Sequence, residues 1–193
     1  NDGDLDLYLT AIVHTPPRNY LYINNGDGTF TEDAPARGAD LTAGQHTNGF
    51  SSTFGDYDGD GYLDLFTTEW NAQSGAGNSR LLRNLGDASP GHFQDVTTPA
   101  GVDVSLGHPT GLSFAFAPTF ADMDRDGHVD LVVAGDFGGS RLFWNNGDGG
   151  FTNGTIAAGV GSDENGMGAA IGGYDGDGEL EWFVSSSDEG GGA

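Results

Sequence analysis

Asp56-Tyr57-Asp58-Gly59-Asp60-Gly61-Tyr62-Leu63-Asp64 places carboxylates at positions one, three, five and nine of a short stretch, with glycine at position six. Oxygen donors at alternate positions suit Ca²⁺, which takes six to eight oxygens at roughly 2.3–2.6 Å, and the glycine permits the turn that points them inward. Softer metals fit poorly, because the chain has no Cys and no His stands at a side-chain ligand position here. The first half reads like an EF-hand loop. Position nine, however, is Asp64, no Glu follows at position twelve, and Leu63-Asp64-Leu65-Phe66-Thr67 runs directly into a strand-like segment instead of a helix.

The pattern recurs, which separates it from a Gly/Asp-rich turn. Asp122-Met123-Asp124-Arg125-Asp126-Gly127-His128-Val129-Asp130 repeats it in full. Gly173-Tyr174-Asp175-Gly176-Asp177-Gly178-Glu179-Leu180-Glu181 repeats it with Gly at position one and Glu at nine, so this copy is expected to bind more weakly. Asn1-Asp2-Gly3-Asp4-Leu5-Asp6 is the second half of a fourth copy, and the expectation is of a piece of a longer protein. The position-nine acids Asp6, Asp64, Asp130 and Glu181 are 58, 66 and 51 residues apart, a spacing that indicates a repeat architecture.

The expected side-chain ligands are Asp56, Asp58, Asp60 and Asp64; Asp122, Asp124, Asp126 and Asp130; and, more weakly, Asp175, Asp177 and Glu181. Tyr62, His128 and Glu179 at position seven are expected to offer backbone carbonyls. The partial first loop retains the side chains of Asp2 and Asp6 and the Asp4 carbonyl. Three to four Ca²⁺ sites are therefore expected.

Composition agrees. The chain of 193 residues carries six basic residues, all Arg, against 29 acidic ones, for a formal charge of −23. Nucleic acid is not expected as a partner on this balance. Thirteen of the acids sit at the side-chain ligand positions just named, so much of the acidity is local to the loops. With 35 Gly and 36% hydrophobic residues, the chain suits short strands and tight turns. No apolar run is long enough to cross a membrane as a helix.

Each loop leads into a strand-like run: Leu5 to Thr10, Leu63 to Glu69, Val129 to Ala134, Leu180 to Ser185. A second strand follows at Tyr20-Leu21-Tyr22-Ile23-Asn24, Arg80-Leu81-Leu82-Arg83-Asn84 and Arg141-Leu142-Phe143-Trp144-Asn145, which align without gaps. Turn signals such as Asn25-Gly26-Asp27-Gly28 and Asn146-Gly147-Asp148-Gly149 then precede a third strand at Phe30, Phe93 and Phe151. A common exit is marked by Arg37-Gly38-Ala39, Ala100-Gly101-Val102 and Ala158-Gly159-Val160. A further strand, Gly49 to Phe54, Ser113 to Phe120 or Met167 to Gly172, enters the next loop. No helix with a sustained 3.6-residue period is found. The expected fold class is all-β: four-stranded antiparallel propeller blades, part of a larger propeller, in one repeat domain over 1–193, with units 1–48 (partial), 49–112, 113–166 and 167–193 (partial).

The chain resembles the FG-GAP or VCBS repeat superfamily, the calcium-binding blades also found in the integrin alpha-subunit head. Phe54-Gly55 before Asp56 matches the Phe-Gly pair of the family name, varied to Phe120-Ala121 and Ile171-Gly172. The Asn-Asn-Gly-Asp-Gly-x-Phe hairpins are similar to those of bacterial members related to cartilage acidic protein. The resemblance implies a calcium-stabilised β-propeller, extracellular or at the cell surface, used for adhesion or recognition of glycan or protein ligands. A structural subunit built from neighbouring protomers is the alternative. RTX and dockerin repeats are excluded by loop spacing. An enzyme is not expected, because the closely spaced carboxylates are explained as metal ligands and the five His (14, 46, 92, 108, 128) share no metal-type spacing. Trp70 with residues 71–78 is a candidate contact surface; Trp144 and Trp182 read as packing residues. Asn153-Gly154-Thr155 is a glycosylation sequon.

Overall fold

A computed structural model describes residues 3–12, 18–41, 49–70, 79–105, 112–162 and 165–186. The apolar runs form strands β1 (Leu7–Leu9), β2 (Tyr20–Asn24), β3 (Phe30–Glu32), β4 (Gly49–Gly55), β5 (Asp64–Glu69), β6 (Arg80–Asn84), β7 (Phe93–Asp95), β8 (Ala115–Ala121), β9 (Asp130–Gly135), β10 (Arg141–Asn145), β11 (Phe151–Asn153), β12 (Gly166–Gly172) and β13 (Glu181–Ser186). All neighbouring strands pair antiparallel, in the sheet orders β1-β2-β3, β4-β5-β6-β7, β8-β9-β10-β11 and β12-β13. Within each sheet, strands consecutive in the chain pair side by side, giving up-and-down sheets, the form of propeller blades. The first strands of successive sheets lie against one another, β4 on β8 and β8 on β12.

The sheet β4–β7 is covered on both faces, which explains why Leu65-Phe66-Thr67-Thr68 does not simply alternate apolar with polar. Leu65 and Leu82 enter one core with Tyr8 and Leu21 of the preceding sheet and with Ala34 and Ala39 that follow it. Phe66 and Leu81, one residue along each strand and so on the opposite face, enter the other core with Leu131, Val133, Phe143 and Phe151 of the following sheet. The outer sheets instead expose apolar side chains, Leu7 and Leu9 on β1 and Phe183 on β13.

Among the described residues two one-turn α-helices interrupt the all-β pattern, α1 (Ala34–Arg37) and α2 (Thr97–Ala100), besides a 3₁₀ turn at Gly86–Ala88. A single turn is too short to show a 3.6-residue period, so the sequence marks them only by their ends. Pro35 lies in the first turn of α1, and Gly38 and Gly101 close the two turns in left-handed conformation at φ 70 and 77. These are the Arg-Gly-Ala and Ala-Gly-Val exits.

The Phe-Gly pair also has a packing cause. A Cβ added to Gly55 would lie 2.6 Å from the Phe120 ring, so the Phe of one sheet occupies the space left by the Gly of the sheet before it. Residues 153–155 have a structural role as well. The Asn153 side chain accepts the Thr155 N–H at 3.1 Å, and the buried Thr155 hydroxyl accepts the Leu142 N–H at 3.0 Å. Asp95 and Thr97 make the same bonds one sheet earlier.

Candidate metal centres

Each loop joins the first two strands of its sheet, β4 to β5, β8 to β9 and β12 to β13. Its geometry is set by carboxylates that accept the loop's own N–H groups. Asp56 Oδ2 accepts from Gly61 at 2.9 Å, Asp58 Oδ1 from Asp60 at 3.3 Å, and Asp60 Oδ1 from Tyr62 at 2.9 Å. The second loop repeats all three: Asp122 with Gly127 at 3.0 Å, Asp124 with Asp126 at 3.2 Å, Asp126 with His128 at 2.8 Å. The third keeps two, Asp175 with Asp177 at 3.1 Å and Asp177 with Glu179 at 2.8 Å. Gly59 and Gly176 take positive φ (72 and 78) at position four, where the second loop forces Arg125 to φ 63.

The position-nine acid closes the loop and anchors it to the sheet. Asp64 accepts the Tyr57 N–H at 3.1 Å on Oδ2 and the Asn84 N–H at 2.8 Å on Oδ1. Asp130 does the same with Met123 at 2.9 Å and Asn145 at 2.8 Å, and Glu181 accepts from Tyr174 at 2.8 Å. Burial pushes the Asp64 carboxyl up to about 7, against the opposing effect of its two N–H bonds and with a further push from Asp58 and Asp60. Asp130 is raised for the same reasons, its neighbours there being Asp124 and Asp126.

Three groups of acids result, Asp56 with Asp58 and Asp64, Asp122 with Asp124 and Asp130, and Asp175 with Asp177 and Glu181, each offering oxygens within 4.8 Å of one another. Two oxygens on one Ca²⁺ stand at most about 5 Å apart, twice the bond length. Asp56 Oδ1 and Asp122 Oδ1 are buried and accept no hydrogen bond. A buried acceptor without a donor is costly, and a cation among these acids would satisfy both. The donor set is all-oxygen and hard, so the residues fit calcium.

Of the other expected ligands, Asp60 and Asp126 stand outside these groups, Asp60 with Oδ2 3.8 Å from Arg83. The position-seven side chains are engaged elsewhere. Tyr62 donates to Asp87 at 2.6 Å, His128 lies against Gly147, and Glu179 pairs with Arg125. Asp2 lies outside the described residues. Asp6 accepts the Asn24 N–H at 2.9 Å, as its counterparts do, and Asp4 lies against Gly26.

Two kinds of residue belong to these sites without being marked by the loop pattern. Asn24, Asn84 and Asn145 each donate a backbone N–H to the position-nine acid and a side-chain N–H to the carbonyl before it, at 3.3, 3.1 and 2.9 Å. Their in-phase recurrence at the end of the second strand is the signal the sequence offers for them. Arg83, whose Nε is 2.6 Å from Asp58 Oδ2, has no such signal, because Ile23 and Trp144 stand at its position in the other sheets.

Comparison with known families agrees with this geometry: FG-GAP-like repeats match residues 1–67 and 122–184. The chain belongs to the FG-GAP-like repeat family. Among curated relatives, cartilage acidic protein 1 of Homo sapiens is similar to this FG-GAP chain at 27% identity over 113 residues, 58% of this chain and 15% of the human protein. A solved structure of an Agrocybe aegerita lectin, concerned with specific recognition of non-reducing terminal N-acetylglucosamine, is similar at 20% identity with a TM-score of 0.45, over 93% of this chain and 46% of the lectin chain. The chain thus spans less than half the length of either. Among the described residues no helix is long and apolar enough to cross a membrane.

Proposed function

We propose that this FG-GAP-like chain is a calcium-stabilised recognition module of the cell exterior that binds glycan or protein ligands and has no catalytic role. The observation that supports calcium most strongly is the recurrence of three-acid groups, two of them holding a buried carboxylate oxygen without a hydrogen-bond donor. Calcium there supplies positive charge and oxygen-directed coordination. The loops themselves hold their carboxylates in place through backbone N–H bonds and the Asn clamps. Extracellular calcium is abundant enough to fill sites of millimolar affinity, and the name of the human relative fits an extracellular setting.

The contact surface this reading favours is the aromatic cluster at the end of the sheets remote from the loops. Trp70 meets Phe114 edge-on at 5.9 Å, Phe114 meets Phe137 at 5.1 Å, and Phe50 meets Phe116 at 4.3 Å. Phe50 and Phe137 remain exposed, offering ring faces to the apolar side of a sugar or to a protein side chain. Trp70 is half-buried and donates to Asp136 at 3.3 Å, so it supports the cluster; residues 71–78 lie outside the described residues.

Equilibrium dialysis and calorimetry test the calcium reading: saturable binding, removed by a chelator together with a fall in melting temperature, is expected. No bound calcium would overturn it. Retention on a glycan or protein array that Phe137→Ala abolishes is expected for recognition. A second reading, an assembly subunit, is favoured by the exposed apolar residues of the outer sheets, and rings or filaments in electron micrographs would support it instead.

A further inference from the structure

The loops 56–64 and 122–130 belong to different sheets, yet an unbroken run of hydrogen bonds joins their position-nine acids. Asp64 Oδ2 accepts the Tyr57 N–H at 3.1 Å, and the Tyr57 carbonyl accepts the Asn145 side-chain N–H at 2.8 Å. The Asn145 backbone N–H then reaches Asp130 Oδ1 at 2.8 Å. Asn145 is buried and fully committed: its side chain also donates to Val129 O at 2.9 Å and accepts from Gly147 at 3.0 Å. The Tyr57 ring, 4% exposed, stacks on Phe151 at 5.5 Å in the core between the two sheets. Loop 56–64 is thus keyed into the following sheet by both its main chain and its side chain.

From this we infer that Asn145 is a positioning residue that couples calcium binding at loop 56–64 to occupancy of loop 122–130. The inference rests on the calcium reading proposed above. An ion among Asp122, Asp124 and Asp130 holds Asp130 against Asn145. Without one, Asp122, Asp124 and Asp130 repel at close range, and any withdrawal of Asp130 would cost Asn145 the backbone bond that helps hold it against Tyr57. The Tyr57 main chain is then freed at its carbonyl, which loosens the N–H that closes loop 56–64 on Asp64. The docked and released forms of Tyr57 are the two states that both ions bias, and such coupling is reciprocal.

Hydrogen exchange read by mass spectrometry on the 193-residue chain tests this, because it reports loop 56–64 by itself. The quantity read is the calcium concentration giving half-maximal protection of that segment. Asp124→Asn, which removes a ligand from the second loop but leaves Asp130 and Asn145 in place, is expected to raise this midpoint about fivefold or more. Asp175→Asn, in the loop that makes no bond to Tyr57 or Asn145, is expected to leave it within about twofold. In an Asn145→Ala background, Asp124→Asn is expected to add nothing further. If Asn145→Ala fails to fold, the comparison of Asp124→Asn with Asp175→Asn decides alone. Equal shifts from those two variants, or no shift from either, would overturn the coupling while leaving calcium binding intact. Absence of calcium-dependent protection and of bound calcium in the unaltered chain would overturn the calcium reading and the coupling with it.

Discussion

The Arg83 guanidinium reaches Asp58, with Nε 2.6 Å from Oδ2, so one of the three acids gathered in loop 56–64 already faces a cation from the protein itself. The pair raises the Arg83 pKa, chiefly through the hydrogen bond to Asp58. The pair is partly exposed, and such pairs contribute only about 0.2–1 kcal/mol. Under the calcium reading its consequence is competition: Arg83 offsets one of the loop's carboxylate charges when calcium is absent and would compete with the ion for Asp58 when calcium is present. Arg83→Ala is therefore expected to lower the melting temperature of the calcium-free protein and to widen the gap between calcium-free and calcium-saturated melting. A gap that narrows would show that Arg83 assists the ion.

Asp64 gives the calcium-free protein a pH dependence that, under the calcium reading, is opposite in sign to that of calcium binding. Its folded-state pKa is about 7, raised by burial above the usual value near 3.8, so in the calcium-free protein the folded state holds a proton that the unfolded state has released between roughly pH 4 and 7. Stability from this group is fully present below about pH 4 and is lost as pH rises through about 7. Calcium requires the ionised form and so binds better above about pH 7. The calcium-induced rise in melting temperature is expected to be larger at about pH 8 than at about pH 5.5, with proton release on binding near pH 7. Equal rises at both pH values, measured by differential scanning calorimetry, would count against this account of Asp64.

Much of this is legible in the sequence, because the loop acids, the hairpin glycines and the strand that follows each loop recur in phase. Spacing along the chain, however, cannot rank ligands within a loop. Asp60 and Asp58 look alike in the pattern, and only the fold places Asp58 with Asp56 and Asp64 while leaving Asp60 outside. Contacts between sheets are equally out of reach. Nothing local to Tyr57 says that its ring will meet Phe151, or that its carbonyl will meet Asn145, 88 positions away. Gly55 is an intermediate case, marked as part of a Phe-Gly pair but explained only by Phe120.

That contact gives a third prediction. Gly55→Ala would place a methyl 2.6 Å from the Phe120 ring and 2.9 Å from its Cβ, closer than real atoms approach, so the two sheets must shift apart. Overpacking of this kind costs about 1–3 kcal/mol. Gly172→Ala, at the matching position in the last sheet, meets no atom within 4 Å and is expected to be far milder. Urea denaturation of both variants checks the contrast.

The outer sheets carry the last prediction. Phe66, between two sheets, is fully buried, whereas Phe183 on β13 is 68% exposed and Leu5, leading into β1, is 86% exposed. Phe66→Ala is expected to destabilise by about 3–5 kcal/mol, since it removes a ring from a packed core. Phe183→Ser should change stability far less, because its ring is already largely exposed. Its effect is expected on association: exposed apolar sheet faces attract others of their kind, and repeat proteins with uncovered ends tend to self-associate. The 193-residue chain with calcium is therefore expected to form oligomers at micromolar concentration, with Leu7→Ser and Phe183→Ser each shifting the equilibrium toward monomer. A chain that stays monomeric by light scattering across that range would refute the reading. Association that neither substitution weakens would place the contact on another surface.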